Sequence, residues 1–313
     1  SEMCIRDRTT TQSNGLFNLK ALDVNSDGIA DYVYGGDLKG NLWRFDLLSN
    51  GSLTATATLN DFSVAFGGRP LYTARSSDTN GTLQPITAPP SVVKHPSGTG
   101  FIVMFGTGSY FTTEDKTSTD LQTVYGIWDE NVSTLATPNT TSTLTALQRS
   151  NLQQQTFTSE STLNGTSARV LSNTAVNWTT SSGWYLDLQS NNQTLGERVV
   201  NPMTASGQAL LFSTVTPNAD VCSSGITGWT YAVDPASGGR TAYNVFDLNG
   251  DGVVNSLDGL NGNVVSGFGS TAGGFTLSND QSFSPDSNKD QRTISKGPQA
   301  SGRQTWRVIP QPQ

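Results

Sequence analysis

The chain has 313 residues, 34% of them hydrophobic and 14% charged, with a net charge of −7 and a single histidine. That length suits one large β domain or two smaller ones. The acidic balance, with no Lys/Arg-rich face, argues against nucleic acid as a partner. No apolar run approaches the ~20 residues of a membrane-spanning helix.

In chain order, Ser1–Arg8 (SEMCIRDR) differs in character from everything after it and lacks the apolar stretch of a signal peptide. It reads as a foreign or mis-assembled start, ahead of a chain without its true N-terminus. Residues 9–283 form the domain proper, and residues 284–313 a polar C-terminal tail holding Trp306. Cys4 and Cys222 can pair in an oxidising compartment, but the change of character around Cys4 speaks against it.

Asp23–Leu47 (DVNSDGIADYVYGGDLKGNLWRFDL) opens with oxygen-bearing side chains at every second position and closes with a hairpin, Tyr32–Gly36 and Asn41–Leu47, turning over Asp37–Gly40. Strand signals recur at Phe101–Phe105, Val124–Asp129, Gly183–Leu188, Ala209–Val215 and Gly228–Pro235, each bounded by Gly, Pro, Asn or Ser. Trp43, Trp128, Trp184 and Trp229 sit in these segments with gaps of 85, 56 and 45 residues. A propeller blade takes about 40–50 residues. The expected fold is therefore an all-β propeller of four-stranded antiparallel blades, about four to five of them and incomplete. The Trp residues are expected buried at equivalent blade positions. A β-sandwich with Trp scattered through its core is the alternative. Residues 130–182, rich in Thr, Ser, Asn and Gln, read as a surface insertion with room for one short helix over Ser142–Phe157. Its Asn139 and Asn164 triplets follow from composition.

Two segments have the spacing of EF-hand-like calcium loops. Ca²⁺ takes six to eight oxygen ligands, and a loop with acids or amides at positions 1, 3 and 5, Gly at 6 and a carbonyl at 7 supplies them locally. The first offers Asp23, Asn25, Asp27, the Ile29 carbonyl and Asp31; position 12 is Tyr34, so the loop must end on Asp31 or borrow an acid or a water. The second, Asp247–Asp258, offers Asp247, Asn249, Asp251, the Val253 carbonyl, Asn255 and Asp258 at position 12, and resembles the dockerin type. An Asp/Asn/Gly turn without metal is the competing reading of each.

Catalytic signals are weaker. His95, beside Pro96, reads as a turn residue; no Gly-x-Ser-x-Gly stands out, and zinc lacks ligands. Asp37, Asp46, Asp129 and Asp187 lie near strand ends. A glycosidase needs two such carboxylates, but strand-end acids more often satisfy turn N–H groups. The segment YGGDLKGNLWRF resembles the tryptophan-docking repeat of quinoprotein dehydrogenase propellers, in which the Trp packs between blades. Those enzymes hold a quinone and usually a vicinal cysteine pair, which this chain lacks. The residues therefore read as those of a protein that is not an enzyme, with a quinoprotein-type propeller dehydrogenase as the alternative.

From about Leu19 to Arg307 the chain resembles the C-terminal β-propeller of PilY-type proteins, large type IV pilus biogenesis factors and tip adhesins. The resemblance rests on DVNSDGIADYVYGGDLKGNLWRFDL, QPITAPPSVV, FIVMFGTGSYF, QTVYGIWDE, GWYLDL, GERVVNPM, DPASGGR, VFDLNGDGVVN and GRQTWRVI in this order. It implies that Asp23, Asn25, Asp27, Ile29 and Asp31 bind a Ca²⁺ linked to pilus extension against retraction, surface attachment and twitching motility. It implies minor pilins and a host or abiotic surface as partners. It further implies a pilus-associated location outside a Gram-negative cell, reached through the periplasm. The large N-terminal adhesive region and several upstream blades are not in this sequence, and the stretch around Cys222 departs from the family's Cys- and Gly-rich pattern.

Overall fold

The computed structural model describes residues 14–48, 58–78, 80–132, 146–190, 193–217, 227–270, 276–278, 281–283 and 291–297. Ser1–Arg8, Cys4, Asn139, Cys222 and Trp306 lie outside them. The strands are β1 (Leu16–Leu22), β2 (Tyr32–Asp37), β3 (Asn41–Asp46), β4 (Ser63–Val64), β5 (Tyr72–Thr73), β6 (Ser91–Lys94), β7 (Phe101–Gly106), β8 (Thr123–Asp129), β9 (Gln153–Gln155), β10 (Phe157–Leu163), β11 (Thr166–Leu171), β12 (Gly183–Asp187), β13 (Thr204–Ser206), β14 (Ala209–Ser213), β15 (Gly228–Val233), β16 (Gly267–Ser270), β17 (Thr276–Ser278), β18 (Gln281–Phe283) and β19 (Gln291–Thr293).

Three sheets repeat one antiparallel meander. The first runs β1-β2-β3-β4, with β5 also on β3; the second contains β6-β7-β8-β12, and the third β16-β15-β14-β13. A small fourth sheet holds β17-β18-β19. Side-chain alternation explains how the sheets stack, since successive residues of a strand point to opposite faces. Along β7, Val103 and Phe105 join Tyr34 and Leu42 of the first sheet in one core, while Ile102 and Met104 join Leu210 and Phe212 of the third sheet in another. A strand buried on both faces must read as a continuous apolar run, which is why Phe101–Phe105 does. Leu211 and Ala209, on the opposite face of β14, pack with Val245, Phe246 and Ile294 in a third core.

The hairpin over Asp37–Gly40 forms as expected, with Gly35 opposite Trp43 and Tyr32 opposite Asp46. Asp37 accepts the backbone N–H groups of Lys39 and Asn41 (2.9 and 2.8 Å) and the Trp43 indole N–H (2.8 Å). Trp43 thus closes its own hairpin instead of packing between sheets. The indole that docks between sheets is Trp184, which donates to the Pro235 carbonyl at 3.0 Å. Of these four, only Trp184 is fully buried; Trp43, Trp128 and Trp229 are half-buried. Trp184 and Trp128 also share the second sheet, on paired strands with Trp184 opposite Gly126. The Trp positions are therefore not equivalent, and their spacing does not count blades, because the Gly–aromatic pattern recurs on neighbouring strands of one sheet.

The segment expected as a surface insertion contributes strands instead. β9 extends the second sheet by pairing in parallel with β12, and the β10–β11 hairpin adds two strands to the third by pairing with β16. Among the described residues, uniform four-stranded blades thus give way to sheets of five, five and six strands. Residues 142–145 of the expected helix lie outside the described residues, and the remainder of its span forms a 3₁₀ turn at Arg149–Asn151 and then β9. Asn164 (φ 49°) and Gly165 (φ 82°) make the β10–β11 turn, a sequence signal for a hairpin in plain view inside a polar stretch. In the expected C-terminal tail, β19 pairs with β18 and Ile294 is buried.

Three of the four strand-end acids hold arginines. Asp46 and Asp129 pair with Arg44, and Asp187 with Arg149. Asp37 serves turn N–H groups as expected, and Asp129 also accepts the Asn131 N–H (3.2 Å).

Candidate metal centres

The first loop joins β1 to β2. Asp23 Oδ1 accepts the N–H of Ser26 (2.6 Å) and its Oδ2 that of Gly28 (2.8 Å). Asn25 Oδ1 accepts the Asp27 N–H (3.0 Å), Asn25 Nδ2 donates to Asp27 Oδ2 (2.9 Å), and Asp27 Oδ1 accepts the Ile29 N–H (2.8 Å). Two residues take positive φ, Ser26 at 62° and Gly28 at 88°.

The second loop follows β15 and precedes β16, and it repeats this pattern bond for bond. Asp247 accepts the N–H groups of Gly250 (2.7 Å) and Gly252 (2.8 Å). Asn249 accepts from Asp251 N–H (2.9 Å) and donates to its carboxylate (2.9 Å), and Asp251 accepts the Val253 N–H (2.8 Å). Gly250 and Gly252 take φ of 76° and 85°. A left-handed residue at loop positions 4 and 6 turns the chain tightly around its own side-chain oxygens, which suits Gly best and costs Ser26 some strain.

The loops differ in how they end. In the second, Asp258 at position 12 reaches back to the N–H groups of Leu248 (2.8 Å) and Asn249 (3.1 Å), while its other oxygen accepts the Asn255 N–H (2.8 Å). Asn255 caps the 3₁₀ turn Ser256–Asp258, accepting the Leu257 N–H at 2.7 Å. In the first, Asp31 at position 9 takes the part of Asp258. It accepts the Val24 N–H at 2.7 Å and is also bonded by the Asn25 N–H. Both closing acids are buried, whereas Asp27 and Asp251 are exposed. Burial pushes the Asp31 carboxyl above its ordinary value, the Val24 and Asn25 N–H groups pull it back, and Asp27 and Asp23 push it up further. The acid that ends each loop is thus held by the same two backbone donors, from position 9 in one and position 12 in the other.

The donor set is all oxygen, carboxylate, amide and carbonyl, which fits a hard cation such as Ca²⁺ and not zinc or copper. Among the described residues no three His, Cys, Asp or Glu side chains converge into a metal cage by themselves. A cation in either loop would therefore draw on the Asn side chains and the Ile29 or Val253 carbonyl as well. The link from the site to the sheet is short. The Asp31 N–H donates to the Leu22 carbonyl of β1 (2.9 Å), and the Asp31 carbonyl accepts the Leu47 N–H just after β3 (2.8 Å).

The family model for the PilY1 beta-propeller domain matches residues 4–168. The chain belongs to the PilY1 family. It is 43% identical over 324 residues to the type IV pilus biogenesis factor PilY1 of Pseudomonas aeruginosa PAO1, a match covering 95% of this chain and 27% of that relative. A PilY1 homolog of Xylella fastidiosa is 36% identical over 229 residues, covering 72% of this chain and 14% of that relative. The crystal structure of the P. aeruginosa PilY1 C-terminal domain superimposes with a TM-score of 0.79 at 39% identity, covering 93% of this chain and 62% of that one. The PilY1 match establishes the β-propeller fold for the stacked sheets, while the chain spans only about a quarter of the full-length PilY1 relatives. Among the described residues no helix is long and apolar enough to cross a membrane.

Proposed function

We propose that this chain is the calcium-binding propeller module of a type IV pilus biogenesis and adhesion protein, in which loop occupancy biases pilus extension against retraction, surface attachment and twitching motility. The observation that carries this reading is the repetition of one hydrogen-bonded oxygen framework in two separate loops of a PilY1-family chain. The first loop would hold Ca²⁺ through Asp23, Asn25, Asp27, the Ile29 carbonyl and Asp31. The second would use Asp247, Asn249, Asp251, the Val253 carbonyl, Asn255 and Asp258, as a local structural clip. When bound, the cation supplies the positive charge that lets these carboxylates sit together. Without it, Asp23, Asp27 and Asp31 repel one another across a short loop. Asp31 is hydrogen-bonded to the ends of β1 and β3, so loosening there reaches the edge of the first sheet. Minor pilins and a host or abiotic surface are the partners this reading assigns, with export through the periplasm to a pilus-associated position outside the cell.

Calcium calorimetry with stoichiometry tests the sites. Wild type is expected to bind two ions and Asp251→Ala one, while Asp27→Ala weakens the first site by at least ~10-fold, about 1.4 kcal/mol. In a full-length protein, Asp27→Ala is expected to behave as permanently calcium-free and Asp27→Lys, whose ammonium replaces the cation, as permanently occupied. Piliation and twitching scored at low and high calcium distinguish the two. Identical behaviour of both variants would leave the loop a structural clip and end the regulatory reading.

A further inference from the structure

A cleft of about 310 Å³ opens between the segment around β5 and the residues leading into the Arg149–Asn151 turn. Its walls include Leu71, Tyr72 and Leu147, and its charged lining is Arg69, Arg75, Asp78 and Arg149. These charges are not equivalent. Arg149 is spent inside the fold: both oxygens of Asp187 accept from its Nη2 at 2.7 and 2.6 Å, and its Nη1 donates to the Tyr125 hydroxyl at 2.9 Å. Asp78 ties the two sides of the cleft together by accepting the Ser150 N–H at 3.1 Å. Arg75 gives one N–H to the Gly81 carbonyl at 3.1 Å. Among the described residues, no carboxylate lies within ion-pair distance of Arg75 or Arg69, and Arg69 is exposed.

Two guanidinium groups with no carboxylate at ion-pair distance among the described residues thus share one concave site, which also holds Asp78, in a chain whose net charge is −7. Like charges at one cleft repel each other, and an anion placed between them removes that cost. A guanidinium offers paired N–H donors that match the two oxygens of a carboxylate. One part of the wall is apolar, with Leu71 and Tyr72 both buried and Leu147 partly buried against the same core, beside the polar Thr73, Ser77 and Gln148. We propose that this cleft binds a small ligand that carries one carboxylate on an apolar body. The carboxylate meets Arg69 and Arg75, and the body lies along Leu71, Tyr72 and Leu147. None of the residues lining the cleft belongs to either candidate calcium loop.

N-acetyl-L-leucine is the probe, titrated by calorimetry into the whole chain with calcium present, against its amide, N-acetyl-L-leucinamide, and against galacturonate. Binding of N-acetyl-L-leucine with the amide at least ~10-fold weaker is the expected result. Arg69→Gln, a change at an exposed side chain, should weaken the acid at least ~10-fold and leave the melting temperature unchanged. No binding of the acid, equal binding of acid and amide, or equal binding to wild type and Arg69→Gln would each overturn the proposal. Binding of galacturonate alone would overturn the apolar-body assignment.

Discussion

His95 is caged. Its ring stacks on Trp128 at 4.2 Å and meets the edge of Trp178 at 4.3 Å. Nδ1 accepts the Ser97 backbone N–H at 3.1 Å, which places the ring proton on Nε2, a buried atom without a hydrogen-bond partner among the described residues. Burial lowers the pKa below 6.5. The charged groups on the neighbouring strands do not offset this: Lys94 and Glu130 are exposed, and Asp129 is held by Arg44. The turn Asn177–Ser182 brings no charge. As pH falls below 6.5 the unfolded chain takes up a proton that folded His95 refuses. The unfolded state then binds more protons, so stability is lost between 6.5 and the lowered folded pKa and is fully present above 6.5. His95→Phe should remove this slope. Urea midpoints of both proteins at about pH 7.5 and pH 5 measure it, with the carboxylate contribution common to both. An equal loss in the two proteins would show that His95 does not titrate in this way. The sequence placed His95 in a turn, which it occupies, but nothing local to VVKHPSG announces Trp178, more than eighty residues away.

At the level of elements, the Trp184 indole joins the second sheet to the third. It is enclosed between Gly126 on β8 and Gly238 in the turn after β15: a Cβ on either glycine would lie 2.3 Å or 2.2 Å from the ring. Gly238 also has φ of 70°, so Gly238→Ala combines backbone strain with a collision. Gly262→Ala isolates the strain alone, since Gly262 has φ of 79° and nothing within 4 Å of the added carbon. The expected cost is about 1–2 kcal/mol for Gly262→Ala. Gly238→Ala should cost a further 1–3 kcal/mol or so from overpacking and alter the near-UV signal of Trp184. Matched denaturation of the two variants measures this, and equal costs would mean the Trp184 contact yields freely. The same contact shows which features the sequence carried. Hairpins and Asp/Asn/Gly loops are local, with all their determinants inside a dozen residues, and both Asp23–Asp31 and Asp247–Asp258 turn tightly around their own side-chain oxygens. The docking of Trp184 on Pro235 spans 51 residues, and the pairing of β11 with β16 joins Ala168 to Phe268. Periodicity cannot encode such pairings, so neither the inter-sheet place of Trp184 nor the joining of β9–β11 to the sheets is legible in the sequence.

At the scale of the whole molecule, a buried arginine joins the first two sheets through an acid. Arg44 of the first sheet is 4% exposed and lies 4.3 Å from the Phe66 ring. Its Nη1 donates to Asp129 of the second sheet at 2.8 Å, and its Nε to Asp46 at 2.7 Å. Tyr34 completes the junction by donating to Asp129 at 2.9 Å; burial, then the Asp129 charge, pushes its hydroxyl well above the ordinary range. Asp129 is 0% exposed, so water cannot replace it. Asp129→Ala leaves Arg44 only the partly exposed Asp46 as a partner and strands the Tyr34 hydroxyl, and should cost about 3 kcal/mol. That is a large part of the roughly 5–15 kcal/mol that holds a typical domain. Because the first two sheets share one core, the loss should lower the midpoint of a single unfolding transition instead of freeing one sheet. The double change Arg44→Met with Asp129→Leu removes the buried ion pair and restores apolar volume, and it should recover part of the loss, since Asp46 is partly exposed and can be solvated while the Tyr34 hydroxyl stays without its acceptor. Urea denaturation of the three proteins decides the matter. If Asp129→Ala costs under about 1 kcal/mol, the pair behaves as a solvated surface bridge. If the double variant is no better than the single one, the hydrogen bonds of Tyr34 and Asp129 matter more to the junction than the charge of Arg44.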